Sequence, residues 1–178
     1  MNRRKAIGSV MAGAAVAAVT ARKAQAAEKA SESIMARWNQ SKIFTMQVAD
    51  AMPADAYDYK VKPEMRSYGE LMVHIGQANV FYLSRMAKNG VPDSLKAPKT
   101  IDKASAMKYL SDTFDFCASV LTPLTVADLD KSYSGRPGTP GMMGWDLVFN
   151  VFIHTAHHRG YADVYLREKG ITPPTYNV

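Results

Sequence analysis

Apolar residues recur three and four positions apart along four separate stretches of the chain, the period of an amphipathic helix rather than of a strand. In the first stretch, from about Ala30 to Ala51, Ile34, Trp38, Ile43, Phe44 and Val48 carry the pattern, and Met52-Pro53-Ala54-Asp55 ends it. A linker, Tyr57-Asp58-Tyr59-Lys60-Val61-Lys62-Pro63, leads to the second, from about Ser67 to Lys88, with Leu71, His74, Ala78 and Phe81 on one face. Asn89-Gly90-Val91-Pro92 stops it, because Gly accepts the left-handed conformation past a helix end and Pro cannot continue a helix. The third begins near Ile101-Asp102, with Thr100 or Asp102 as its cap, and reaches Leu121. Its stripe is Ala106, Tyr109, Leu110, Phe114, Cys117 and Leu121; Thr122-Pro123 breaks it, and Thr125 to Leu129 can add one helical turn. The fourth starts at Met142 or Trp145 and ends at Lys169, with Gly170 and Pro173-Pro174 beyond. Ahead of it, the run from Tyr133 to Gly144 is rich in Gly and Pro and reads either as a lid over a site or as a long connection. No stretch shows convincing strand alternation. Four amphipathic helices predict an all-α fold, a four-helix bundle, because each can bury its stripe only against the others.

A segment of different character precedes the first helix. Met1-Asn2-Arg3-Arg4-Lys5 is positive, Ala6 to Ala21 is small and apolar, and Ala24-Gln25-Ala26 offers the small-x-small pattern that signal peptidase accepts. Residues 1–26 are therefore expected to be a signal peptide and residues 27–178 the mature domain of an exported, periplasmic protein. Arg3-Arg4, an apolar run of Ala and Gly rather than Leu, and Arg22-Lys23 before the cleavage site favour twin-arginine export. No aromatic or Leu follows the arginines as it usually does there, so general secretion stays open. The twin-arginine route carries folded proteins, which would allow a metal to be loaded before export.

The leader changes the reading of charge. The chain has 22 Lys and Arg against 16 Asp and Glu, but five of the basic residues and none of the acids lie in residues 1–26. The remainder carries 17 basic and 16 acidic residues, a net charge of +1. No basic stripe is left to attract phosphate, so no nucleic-acid partner is expected. Nor does a second long apolar run follow, so no membrane association is expected once the signal is removed. Length and a 47% hydrophobic composition fit one globular domain. Cys117 is the single cysteine, cannot form an internal disulfide, and is expected as a small buried residue of the third helix.

The histidines carry the chemistry. Three of the four fall within Phe152-Ile153-His154-Thr155-Ala156-His157-His158-Arg159-Gly160. His154 and His158, four apart, share a helix face with Leu147, Val151, Tyr161 and Tyr165, the face expected to turn inward. Two imidazoles facing a core need partners, since burying polar groups unpaired costs free energy. His74 lies on the inward stripe of the second helix. Three neutral imidazoles suit Zn²⁺, Ni²⁺ or Fe²⁺ and leave positions open for water or a substrate. Spacing alone does not bring the two helices together, and hydrogen-bonded core histidines remain the other reading. His157 lies about 60° round the helix from His154 and ranks behind the three, as an outer group, an exposed residue or an alternative ligand. Asn150, Tyr161 and Glu70 are candidates for groups around the ion, or else packed or solvated residues. His-Glu-x-x-His, paired Glu-x-x-His and Cys-x-x-Cys-His are all absent, which excludes the site classes they mark.

His154-Thr155-Ala156-His157-His158-Arg159-Gly160, followed by Tyr165-Leu166-Arg167 and Gly170-Ile171-Thr172-Pro173-Pro174, resembles the end of DinB-like proteins, the DinB/YfiT superfamily. Arg66-Ser67-Tyr68-Gly69-Glu70-Leu71 resembles the start of that family's second helix and Tyr57-Asp58-Tyr59-Lys60 the linker before it, so the likeness runs from about residue 30 to the end. The resemblance implies a DinB-like four-helix bundle, often a homodimer, with a divalent metal held by one His of the second helix and two of the last. Those positions are His74, His154 and His158. Tyr161 departs from the family, whose members often carry Gln there, and alters the polarity beside the metal. The resemblance also implies thiol transfer or thiol-dependent isomerisation, although many members have no known activity, and small thiols are scarcer outside the cytosol. The expectation is a metal-dependent transferase or hydrolase acting on an unidentified small molecule, with no catalytic side chain assigned. The alternative is a non-catalytic metal- or ligand-binding, stress-related protein in which the metal is structural.

Overall fold

Capping chemistry places the helix ends. In the computed structural model, which describes residues 3–135 and 140–176, helix α2 (Tyr68–Leu83) starts at a capping box: Ser67 accepts from the Glu70 N–H, and the Glu70 carboxylate accepts from the Ser67 N–H. Helix α3 (Lys103–Leu121) starts in the same way from Asp102 and Ser105, and the single turn α4 (Val126–Leu129) from Thr125 and Asp128. Helix α5 (Gly144–Glu168) ends where Gly170 takes φ 72°, and the segment after α2 turns at Gly90 with φ 69°. Helix α1 spans Arg3–Ala51.

Two boundaries differ from the sequence reading. Helix α1 was expected from about Ala30 but extends back to Arg3, through an Ala-rich run of high helix propensity with no Pro to stop it. The described side chains ahead of Ser31, those of Val19 to Arg22 and of Gln25, are exposed, and full burial starts at Trp38. The sequence boundary therefore marks where packing begins rather than where the helix does. Helix α2 was expected to Lys88 but ends at Leu83, followed by a 3₁₀ turn, Ser84–Met86.

The loose run before α5 also holds a feature that no alternation announced. Strand β1 (Ser132–Tyr133) pairs antiparallel with β2 (Met142–Met143), Ser132 opposite Met143. Arg136 to Thr139, the centre of the predicted lid or connection, lie outside the described residues, as do Met1 and Asn2 of the predicted leader.

Helices α1 and α2 each pack against both α3 and α5, so α1 and α2 face one another across the diagonal of a four-helix bundle. Trp38 joins three of the helices. Its indole N–H donates to the Phe114 carbonyl at 3.0 Å, and its ring lies 4.8 Å from Phe114 and 5.3 Å from Phe152. The α3 stripe is buried as expected, Cys117 included. Three apolar or aromatic residues assigned to inward stripes are exposed. Ile43 is 54% exposed, lying about 140° round α1 from Trp38. Phe81 is 38% exposed near the end of α2, with the Arg85 guanidinium 4.7 Å above its ring, and Tyr161 is 45% exposed at the rim of the α5 face. Among the described residues no helix is long and apolar enough to cross a membrane.

Candidate metal centre

Helix α5 is turned by an anchor on the face away from α2. Arg159 is buried, and its guanidinium donates to Thr45 Oγ1 at 3.1 Å and Ser41 Oγ at 3.4 Å while lying 4.5 Å over the Phe44 ring, all on α1. The neighbouring position, His158, is thereby aimed at α2. Two further bonds set the lengthwise register. The Tyr165 hydroxyl donates to the Arg66 carbonyl at 2.7 Å, and Thr155 Oγ1 donates to Asn79 Oδ1 at 3.1 Å. Moving up α2 thus means moving down α5, so the two helices run antiparallel. His74 lies between the two ties on α2, and His158 lies between them on α5.

The ring nitrogens of His74, His154 and His158 converge within 4.8 Å of one another. His74 Nε2 and His158 Nε2 are 3.2 Å apart, and the three ring centroids are separated by 4.3 to 5.0 Å. A cation with bonds of about 2.0–2.1 Å to two imidazoles holds their nitrogens roughly 2.9 Å apart at a right angle and about 3.4 Å apart in a tetrahedron. The observed separation lies between these values. His154 Nδ1 and His158 Nδ1 are buried with no hydrogen-bond partner, and no carboxylate among the described residues bonds to any of the three rings. The donor set, three imidazoles bonded to no carboxylate and paired only by the His74–His158 contact among themselves, fits a divalent ion of the Zn²⁺, Ni²⁺ or Fe²⁺ kind.

Electrostatics keep the cluster neutral. Burial, reinforced by the Arg66 charge, holds His74 below the ordinary imidazole range. Burial first, then the neighbouring histidines and Arg66, push both His154 and His158 down to about 4. Their lone pairs are therefore available at neutral pH, the state a metal ligand requires.

The other candidates separate. His157 is exposed, its ring 4.9 Å from His158 and 4.6 Å from Tyr161, and it stays outside the triad. Tyr161 stands beside the cluster, 5.7 Å from the His158 ring. Glu70 does not, because its carboxylate is held at the start of α2 by Ser67 and lies 3.6 Å from Lys60. Asn150 is half-buried and shows no hydrogen bond to the cluster. Sequence reasoning missed Arg66, whose charge reaches all three rings, and Tyr82, whose ring lies 6.0 Å from His154. It also missed the Asn79–Thr155 pair; polar residues on the buried faces of α2 and α5 were the available signal.

Comparison with known proteins follows the same lines. No curated protein matches the chain. A DinB-like protein from Bacillus subtilis has a similar structure, with TM-score 0.67 and 22% identity over 81% of this chain and 96% of that one. A DinB-like protein from Bacillus cereus gives 0.61 and 20%, over 82% and 97%. YfiT from Bacillus subtilis, described as a probable metal-dependent hydrolase with an unusual four-helix-bundle topology, gives 0.59 and 15%, over 80% and 89%. At these identities the likeness establishes the fold. The sequence profile of the DinB family matches residues 23–178, nearly the whole described bundle, and the chain belongs to the DinB family.

Proposed function

We propose that His74, His154 and His158 hold one divalent cation, and that the protein is a metal-dependent hydrolase or transferase acting on a small molecule after export. The convergence of three neutral imidazoles from two helices carries the reading. YfiT, similar in fold and described as a probable metal-dependent hydrolase, supports the hydrolytic form. When bound, such a cation supplies Lewis acidity, which polarises a carbonyl and favours the deprotonated form of a water or thiol. The protein's part is to present neutral nitrogens in fixed positions and to leave room beside them. A cleft of about 520 Å³ opens next to His158, between Tyr161 and Tyr165 of α5 and Met65, Arg66 and Leu71 at the start of α2. That volume suits a small organic molecule.

Metal analysis of untagged protein beside His154→Ala and His158→Ala tests the site. The parent should carry about one ion per chain and the variants little; equal contents refute it. Metal-loaded protein is then challenged with a panel of esters, and with a thiol plus electrophiles. A second reading, in which the ion is structural, is favoured by the cluster bridging α2 and α5. It predicts metal-dependent stability with no turnover on either panel. Export has separate support in the exposed side chains ahead of Ser31 and in a family match that starts at residue 23. Protein recovered from the periplasm should begin at Ala27, and an intact Met1 end there refutes cleavage.

A further inference from the structure

The cleft beside His158 places a free positive charge where a cation would already repel it. Arg66 lines the cleft, is exposed, and has no carboxylate within ion-pair distance among the described residues. Its backbone is fixed by the Tyr165 hydroxyl, so its side chain springs from a set point at the cleft wall. Its charge acts on all three imidazoles. A guanidinium so placed weakens the hold of the histidines on a second cation. An anion sitting between the two charges relieves that repulsion.

We propose that the substrate class is a small organic carboxylate whose carboxyl group pairs with Arg66 while its reacting group lies at the ion held by His74, His154 and His158. This rests on the metal reading above. Arg presents a planar fork of N–H donors that matches a carboxylate in bidentate fashion. The remaining walls, Met65, Leu71 and the rings of Tyr161 and Tyr165, are largely apolar, which suits an organic acid better than an inorganic anion. Glu64 also lines the cleft and is its only carboxylate. It opposes an incoming anion and so sets a second, opposite lever on the same preference.

Cobalt-loaded protein gives a readout independent of turnover. Absorption bands of Co²⁺ report loading, and a thiolate–cobalt charge-transfer band reports a thiol arriving at the ion. The loaded chain is titrated with 3-mercaptopropionate and with its neutral counterpart, 3-mercaptopropanol. The acid should bind about tenfold more tightly or better. Arg66→Gln should abolish that preference while leaving the affinity for the neutral thiol within about twofold, and Glu64→Gln should enlarge the preference. If the loaded protein shows no preference for the acid, or Arg66→Gln keeps it, the carboxylate inference is overturned and the metal site stands. If no cobalt bands form, the metal reading falls and this inference with it.

Discussion

Acidifying the metal-free protein should remove stability through His154 and His158. Burial is the main reason both groups sit at about 4 in the folded chain, against about 6.5 when unfolded. Above pH 7 neither state is protonated and nothing is at stake. Between about 6.5 and 4 the unfolded chain binds protons that the folded chain refuses, so stability falls as the pH falls. Below about 4 both states are protonated and the loss is complete. In full burial the lowering would be worth roughly 3.4 kcal/mol per imidazole. The two groups are only half-buried, and part of the effect is their mutual repulsion, which counts once for the pair. Solvent screening reduces the sum to about 2–3 kcal/mol, or roughly 5–10 °C in Tm for a chain of this size. Urea denaturation with a chelator at pH 7.5 and 4.5, comparing the parent with a His154→Gln/His158→Gln variant, isolates this contribution. Carboxylates, including Asp163 with its carboxyl raised by burial, titrate in both proteins and cancel. The parent should lose about 2–3 kcal/mol more than the variant; equal losses refute the assignment.

Three further outcomes follow from the same geometry. A divalent ion at about a hundred times its Kd should add roughly 2.7 kcal/mol, raising Tm by about 5–10 °C in a thermal melt; His74→Ala should erase the rise and a chelator reverse it. Thr155→Val leaves Asn79 Oδ1 unpaired in addition to its Nδ2, which already lacks a partner, and should cost about 1–3 kcal/mol in urea while weakening metal binding. Gly76→Ala places a Cβ 2.9 Å from Tyr109 Cε1 and 3.1 Å from Thr113 Oγ1, and should cost about 1–3 kcal/mol by forcing α2 away from α3.

The sequence made the helices legible because each buries a stripe and most ends carry their own signals: Asp102 and Gly170 act where they were expected, whereas α2 ends at Leu83, well short of Gly90. It also put His154 and His158 on one face, since a four-residue spacing is a local property of the helix. Whether His74 meets them was not local. That depends on which helices are neighbours, and the neighbours of α2 are α3 and α5 rather than α1, which precedes it. Only the family likeness supplied that pairing in advance. Phe81, Ile43 and Tyr161 show the limit from the other side: a stripe gives the angle around a helix but not how far a neighbouring helix reaches along it. Arg66 escaped notice because it belongs to no stripe; it stands just before the Ser67 cap, and only the antiparallel packing of α5 brings its charge to the histidines.

That packing bears on what an ion would do once bound. Where a site forms only with its metal, binding energy is consumed in folding, and the coordination shell closes as in a zinc finger. Here the α2–α5 register is fixed by the Tyr165 hydroxyl on Arg66 on one side of His74 and His158 and by Thr155, next to His154, on Asn79 on the other. Arg159 fixes the rotation of α5 from the opposite face. None of these ties uses a histidine nitrogen. An ion entering such a site has little left to organise and finds three protein ligands, fewer than a closed structural shell employs. A preorganised, three-ligand site next to a cleft favours the catalytic reading over the structural one. The two readings therefore separate on how much of the triad's geometry survives removal of the metal. Imidazole resonances that keep their chemical shifts and mutual contacts in the chelated protein at pH 7.5 support catalysis, and a triad that disperses without metal refutes this argument.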